Sequence, residues 1–190
     1  MPINETYAQN PINPYGKSKV ASENIINDFS SAHGLRSVIL RYFNAAGADK
    51  DLEIGESHSP ETHLIPLLFD ACTRTTNNFN VYGDDYDTFD GTCIRDYIHV
   101  QDAASASVKA LSEEYKNHHL MIKGTKSMPV SEILKTINEI LGGGVKILYS
   151  KTNHYDAHYS LTPYSFRPKS ARQLQLDSYF DLGQGLLDTV

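Results

Sequence analysis

A helical run that gives way to a β-rich run within a few residues is the feature that most limits how this chain can fold. Val20, Ile25, Ile26, Phe29 and Ala32 predict a helix from about residue 15 to residue 33 with that stripe buried, and Gly34 supplies its stop. Ser37-Val38-Ile39-Leu40-Arg41-Tyr42-Phe43-Asn44 then reads as an inner strand of a parallel sheet, because its apolar residues run together instead of alternating. A helix followed directly by such a strand is an α/β crossover. The alternation continues. Helices are expected over 64–75, 102–111 (with Asp102 as cap) and 131–141, the last closed by Gly142-Gly143-Gly144. Strands are expected over 80–83, 93–100, 120–122 and 145–149. Residues 45–60 and 84–91 read as loops, 153–167 as irregular, and 182–190 as the opening of a helix. The fold class is α/β.

Composition narrows the function classes. The 190 residues suit one domain or slightly more, with 40% hydrophobic residues and a net charge of −6. Acidic and basic residues are mixed and no basic block occurs, so no nucleic-acid partner is expected. No apolar stretch approaches the roughly 18 residues of a membrane span, and no membrane partner is expected. Cys72 and Cys93 form no CxxC pair and read as two reduced thiols. With no signal-like segment at Met1-Pro2-Ile3-Asn4-Glu5, the expected location is cytoplasmic.

Tyr15 and Lys19 carry the most chemistry. Four residues apart at a helix start, they share a face and can meet one ligand together. A phenol ordinarily ionises at about pH 10, and a neighbouring cation favours the phenolate, which suits it to act as a general base. The spacing alone fits an ordinary surface pair equally well. Asn13-Pro14 before it, the small Gly16 and Ser18, and the strand after the helix favour the chemical reading. His154, Asp156, His158 and Asp177 raise a metal reading, but Pro163 and the Tyr/Ser-rich context make a solvated loop the better one, and no metal is expected.

The run Asn10-Pro11-Ile12-Asn13-Pro14-Tyr15-Gly16-Lys17-Ser18-Lys19 resembles the active-site segment of the extended short-chain dehydrogenases/reductases. Arg41-Tyr42-Phe43-Asn44-Ala45-Ala46-Gly47-Ala48 narrows the resemblance to the UDP-glucose 4-epimerase family. It is extended by Glu61-Thr62-His63-Leu64-Ile65-Pro66, Tyr82-Gly83-Asp84-Asp85-Tyr86 and Asp90-Gly91-Thr92-Cys93-Ile94-Arg95-Asp96-Tyr97-Ile98-His99-Val100. The resemblance implies part of a doubly wound, Rossmann-like parallel sheet with a smaller α/β substrate-binding part. Residues 1–60 would end the NAD-binding domain, and 61–190 would mainly bind a UDP-sugar.

In such enzymes NAD takes hydride from C4 of the sugar while a tyrosine takes the hydroxyl proton, and the hydride returns to the other face. By motif position, Tyr15 would be the base, and Lys19 its partner and a ligand of the nicotinamide ribose. Tyr42 would lie beside the nicotinamide. Asn44, His63 and Leu64 would face the sugar diphosphate, Tyr82 the uracil region, and Arg95 a phosphate. Tyr164 would gate sugar size. Read without the resemblance, Arg95 fits a structural ion pair, Asn44 a turn, and Leu64 and Tyr82 plain core.

Three family features are absent from the sequence. No Gly-x-x-Gly-x-x-Gly turn occurs, nor the Ser/Thr that precedes the tyrosine. In place of the family's C-terminal Arg-x-Gly-Asp-like stretch the chain reads Asp156-Ala157-His158-Tyr159-Ser160-Leu161-Thr162-Pro163-Tyr164. The expectation is therefore a UDP-glucose 4-epimerase that is truncated or split from its NAD-binding half and inactive alone. Its partner would be that separate half or a second copy. A UDP-N-acetylhexosamine or UDP-uronate 4-epimerase, or a non-catalytic sugar-nucleotide-binding module, stays open beside it.

Overall fold

The computed structural model describes residues 8–51, 53–73, 77–112, 118–122 and 127–151. The expectations for 153–167, for 182–190 and for Tyr164 lie outside them. Helix α1 spans Pro14–His33. The Asn13 side chain caps it by accepting the Gly16 N–H at 2.7 Å, which satisfies one of the helix's orphan donors. Gly34 ends it at φ 67°, a left-handed conformation that glycine adopts without a Cβ clash.

The apolar stripe expected on α1 is not a buried one. No α1 residue is buried, and Ile25 and Phe29 are 58% and 53% exposed. Spacing defines a face, but burying that face requires a second layer, and none of the described elements covers it. Polar ties hold α1 to the sheet instead. Glu23 pairs with Arg41, and Ser30 meets Ser37 at 3.1 Å.

Strand β1 (Val38–Tyr42) pairs in parallel with β5 (His118–Ile122), from Val38↔His118 to Tyr42↔Ile122. One residue later β2 (Asn44–Ala46) pairs in parallel with β4 (Ile94–His99), which corrects the loop expected from residue 45. Three residues are too few to show a strand period, and their hydrogen bonds come from a partner about fifty positions away. β4 also pairs antiparallel with β6 (Ser127–Pro129), a strand the sequence does not announce. β3 (Asn78–Tyr82) pairs in parallel with β7 (Lys146–Ser150). The result is α/β, with parallel pairs that join strands about 50 to 80 positions apart.

The main core lies between helix α2 (Leu64–Thr73), helix α4 (Val130–Ile140) and β3. Leu68, Ile133 and Leu134 are fully enclosed there, with Phe79, Val81 and Met128 beside them. Burying each such side chain is worth about 1.5–3 kcal/mol. Helix α3 (Val100–Lys109) packs Ala106 on Ile98 and Leu120 in a second cluster. Its cap is His99, whose Nδ1 accepts the Gln101 N–H at 3.2 Å, and not Asp102. Asp102 lies inside the first turn and is buried, because β4 runs into the helix without the turn that would place it at the entrance. Among the described residues no helix is long and apolar enough to cross a membrane.

Candidate functional site

A cleft of about 530 Å³ opens where β2, β3, β4 and the start of α2 converge. Phe79, Asn80, Val81 and Tyr82 of β3 all border it, and on β4 strand alternation selects what faces it. Along β3, Phe79 and Val81 point into the core while Asn78, Asn80 and Tyr82 point away from it, leaving Tyr82 66% exposed. On β4 and the residue before it, Cys93, Arg95 and Tyr97 line the cleft, and the intervening Asp96 is buried with Ile98. Burial pushes the Tyr97 phenol up to about 12, so it is a neutral donor at physiological pH.

Five of the expected substrate residues, Asn44, His63, Leu64, Tyr82 and Arg95, line this one cleft. Asn44 begins β2 and donates from Nδ2 to the Asp96 carbonyl at 2.9 Å, so it also fixes the strand pairing beneath the site. Leu64 is half-buried against the main core, and the exposure of Tyr82 removes the plain-core reading for it. Arg95 is half-buried on β4, with Nη1 donating to the Ile94 carbonyl at 3.3 Å. Among the described lining residues it is the only Lys or Arg, and Glu61 is the only carboxylate. Backbone N–H donation from His63 holds the Glu61 carboxyl below its usual range, helped by the His63 side chain and the Thr62 N–H.

Two lining residues, part of the motif that starts at Tyr82 but given no site role there, shape the opening. Gly83 adopts φ +124°, and a Cβ there would fall 2.4 Å from the Tyr86 ring. Glycine thus lets Tyr86 fold against the strand end and close one side of the cleft. Cys93 and Tyr97 were findable in the sequence, since they flank Arg95 at strand spacing.

Tyr15, Lys19 and Tyr42 do not line the cleft. Tyr15 is 69% exposed, with the Lys19 ammonium 5.2 Å from its ring centroid, over the face of the phenol. Tyr42, 59% exposed, ends β1 two residues before Asn44, at the carboxyl end of a parallel strand where open α/β sheets bind ligands. Tyr164 lies outside the described residues, as do His154, Asp156, His158 and Asp177.

A family model described as "NAD dependent epimerase/dehydratase family" matches residues 1–122. The chain belongs to the NAD-dependent epimerase/dehydratase family. Within that family it is 43% identical over 185 residues to a UDP-glucose 4-epimerase of Rhizobium meliloti, covering 96% of this chain and 56% of the relative. A UDP-glucose 4-epimerase from Brucella ovis in complex with NAD superposes with a TM-score of 0.84 at 40% identity. That match covers 100% of this chain and 58% of the other. The Bifidobacterium longum UDP-glucose 4-epimerase, solved with NAD+ and UDP, superposes equally well, with a TM-score of 0.84 at 26% identity over 100% of this chain and 57% of that one. The chain spans a little over half the length of these relatives.

Proposed function

We propose that this chain is the base-bearing and UDP-sugar-binding portion of a UDP-glucose 4-epimerase, active once joined to an NAD-binding half. The observation that carries the reading is the cleft. Asn44, His63, Leu64, Tyr82 and Arg95 come from four separated stretches of sequence and meet around one opening. Residues 1–60 complete the cofactor side, and 61–190 form most of the sugar-nucleotide side.

Each group has a physical role. Arg95 offers a planar guanidinium to a phosphate, which it can grip with two parallel hydrogen bonds. Tyr82 presents an exposed ring to a uracil face, and Asn44 adds an amide at the diphosphate. Tyr15 accepts the C4 hydroxyl proton at Oη, with the Lys19 ammonium 5.2 Å from its ring centroid. The exposed Tyr15, Lys19 and Tyr42 suit the nicotinamide-ribose end of NAD, while no glycine-rich turn for its pyrophosphate occurs in the chain. NAD, when bound, supplies the hydride acceptor and donor. The proposed partner is therefore a polypeptide carrying that turn, or a homodimer built on the joined protein.

The test is a chimera in which the first half of the Rhizobium meliloti relative precedes this chain. It should retain NAD and interconvert UDP-galactose and UDP-glucose, whereas the chain alone should do neither. A folded chimera that holds NAD and UDP without turnover would favour the second reading, a sugar-nucleotide-binding module. The cleft supports that module by itself, since it is built without Tyr15 and Lys19.

A further inference from the structure

Four potential metal ligands crowd together in the segment that leads into α2. Glu56, His58, Glu61 and His63 each offer one donor atom, and these atoms all lie within 4.8 Å of one another. The two imidazole rings are 4.9 Å apart at 59°. His63 meets the Glu61 carboxylate through Nδ1 at 2.8 Å, and His58 meets Glu56 through its own Nδ1. Two adjacent imidazole–carboxylate pairs exposed to water add little to stability, so holding the fold together does not account for them.

We propose that Glu56, His58, Glu61 and His63 bind one divalent transition-metal ion of the Zn2+ class. Two imidazole nitrogens with two carboxylates form a borderline N/O donor set suited to zinc, whereas Mg2+ and Ca2+ take oxygen donors. A tetrahedral ion with bonds of about 2.0 Å spaces its ligand atoms by about 3.3 Å. The cluster therefore needs to contract by about 1.5 Å at most, which rotamer changes of the exposed Glu56, His58 and His63 around the half-buried Glu61 can supply. All four ligands come from one eight-residue run, so the site assembles without help from a partner chain. Glu61 and His63 line the cleft as well, which places the ion in its wall.

The test is Zn2+ titration against a chromophoric chelator, using the full chain with any polyhistidine tag removed. The expected result is one saturable equivalent per chain. His58→Ala/His63→Ala should weaken it by at least about 100-fold, since loss of a group that merely orients a ligand already costs about 10–100-fold. His154→Ala/His158→Ala should leave it unchanged. Equal affinity in the His58/His63 variant, or no saturable equivalent in the native chain, would overturn the proposal. Should that variant fail to fold by circular dichroism, X-ray absorption on the zinc-loaded native chain decides. Two imidazoles with oxygen ligands support the site, and fewer than two imidazoles overturn it. None of these outcomes depends on UDP binding or turnover.

Discussion

Arg41 of β1 grips Glu23 of α1 with both ends of its guanidinium, through Nε at 2.7 Å and through a second contact from Nη2. Glu23 follows Tyr15 and Lys19 at helical spacing, so the same side of α1 that carries the proposed base is fastened to the strand that ends in Tyr42. Since α1 has no buried side chain, this ion pair is a main determinant of where Tyr15 stands relative to the sheet.

The pair predicts a pH-dependent stability. The Arg41 guanidinium holds the Glu23 carboxyl below its ordinary value of 4.5. A depressed folded value means the contribution is complete above that ordinary value and is lost as pH falls through the depressed one. Glu23→Gln should cost about 1 kcal/mol at pH 7, the upper range for a partly exposed pair. Urea denaturation at a series of pH values should show the two proteins converging below pH 4.5. A constant difference down to strongly acid pH would assign the effect to something other than ionisation.

In the chimera, Tyr15→Phe should lower kcat by about 10²–10⁴-fold, the range for losing a general base, with NAD content unchanged. Lys19→Met should lower both, because Lys19 is proposed to contact the cofactor as well as the phenol. NAD released on denaturation and coupled UDP-galactose turnover measure the two effects separately. Undiminished turnover in Tyr15→Phe would remove Tyr15 as the base.

Arg95→Ala should weaken UDP binding by roughly 1.5–3 kcal/mol, about 10–100-fold, as expected for a charged hydrogen-bond partner. Arg95→Lys should recover only part of it, since an ammonium lacks the two-pronged geometry. Uridine, which has no phosphate, should bind native protein and variant alike by calorimetry. Equal losses for UDP and uridine would place Arg95 in scaffolding rather than at a phosphate.

Gly83→Ala should reshape the cleft. The new Cβ would need to displace the Tyr86 ring, and alanine at φ +124° is strained, together a cost of about 1–3 kcal/mol. Lower thermal stability with weaker UDP binding is the expected pair of effects. Gly34→Ala, at φ +67° with open space around its Cβ position, should lower stability and leave UDP affinity unchanged.

Several elements were legible because their signals are local. Asn13 with Pro14 starts α1 and Gly34 stops it, and each acts through backbone geometry within a turn. β3 was expected over 80–83 and spans Asn78–Tyr82, starting two residues earlier, with Phe79 and Val81 inward. β2 and β6 were not legible, since three residues become strands only when β4 supplies hydrogen bonds from far along the chain. The cap of α3 misled for a related reason. Asp102 is a good capping residue by type, but the approach of β4 brings His99 to the entrance instead.

The sequence by itself determined which groups are available. It set a tyrosine and a lysine on one helical face, an arginine on a strand, and the ordered motifs that mark the epimerase/dehydratase family, because composition, spacing and backbone preference act over a few residues. Tertiary structure alone decided which of those groups meet. It gathered Asn44, His63, Tyr82 and Arg95 into one cleft, left α1 without a buried face, and set Glu56 and His58 beside Glu61 and His63. The cleft and the uncovered face of α1 depend on strand pairing and packing between distant segments, which no local pattern encodes, while the Glu56–His63 cluster depends on how one short segment folds back on itself.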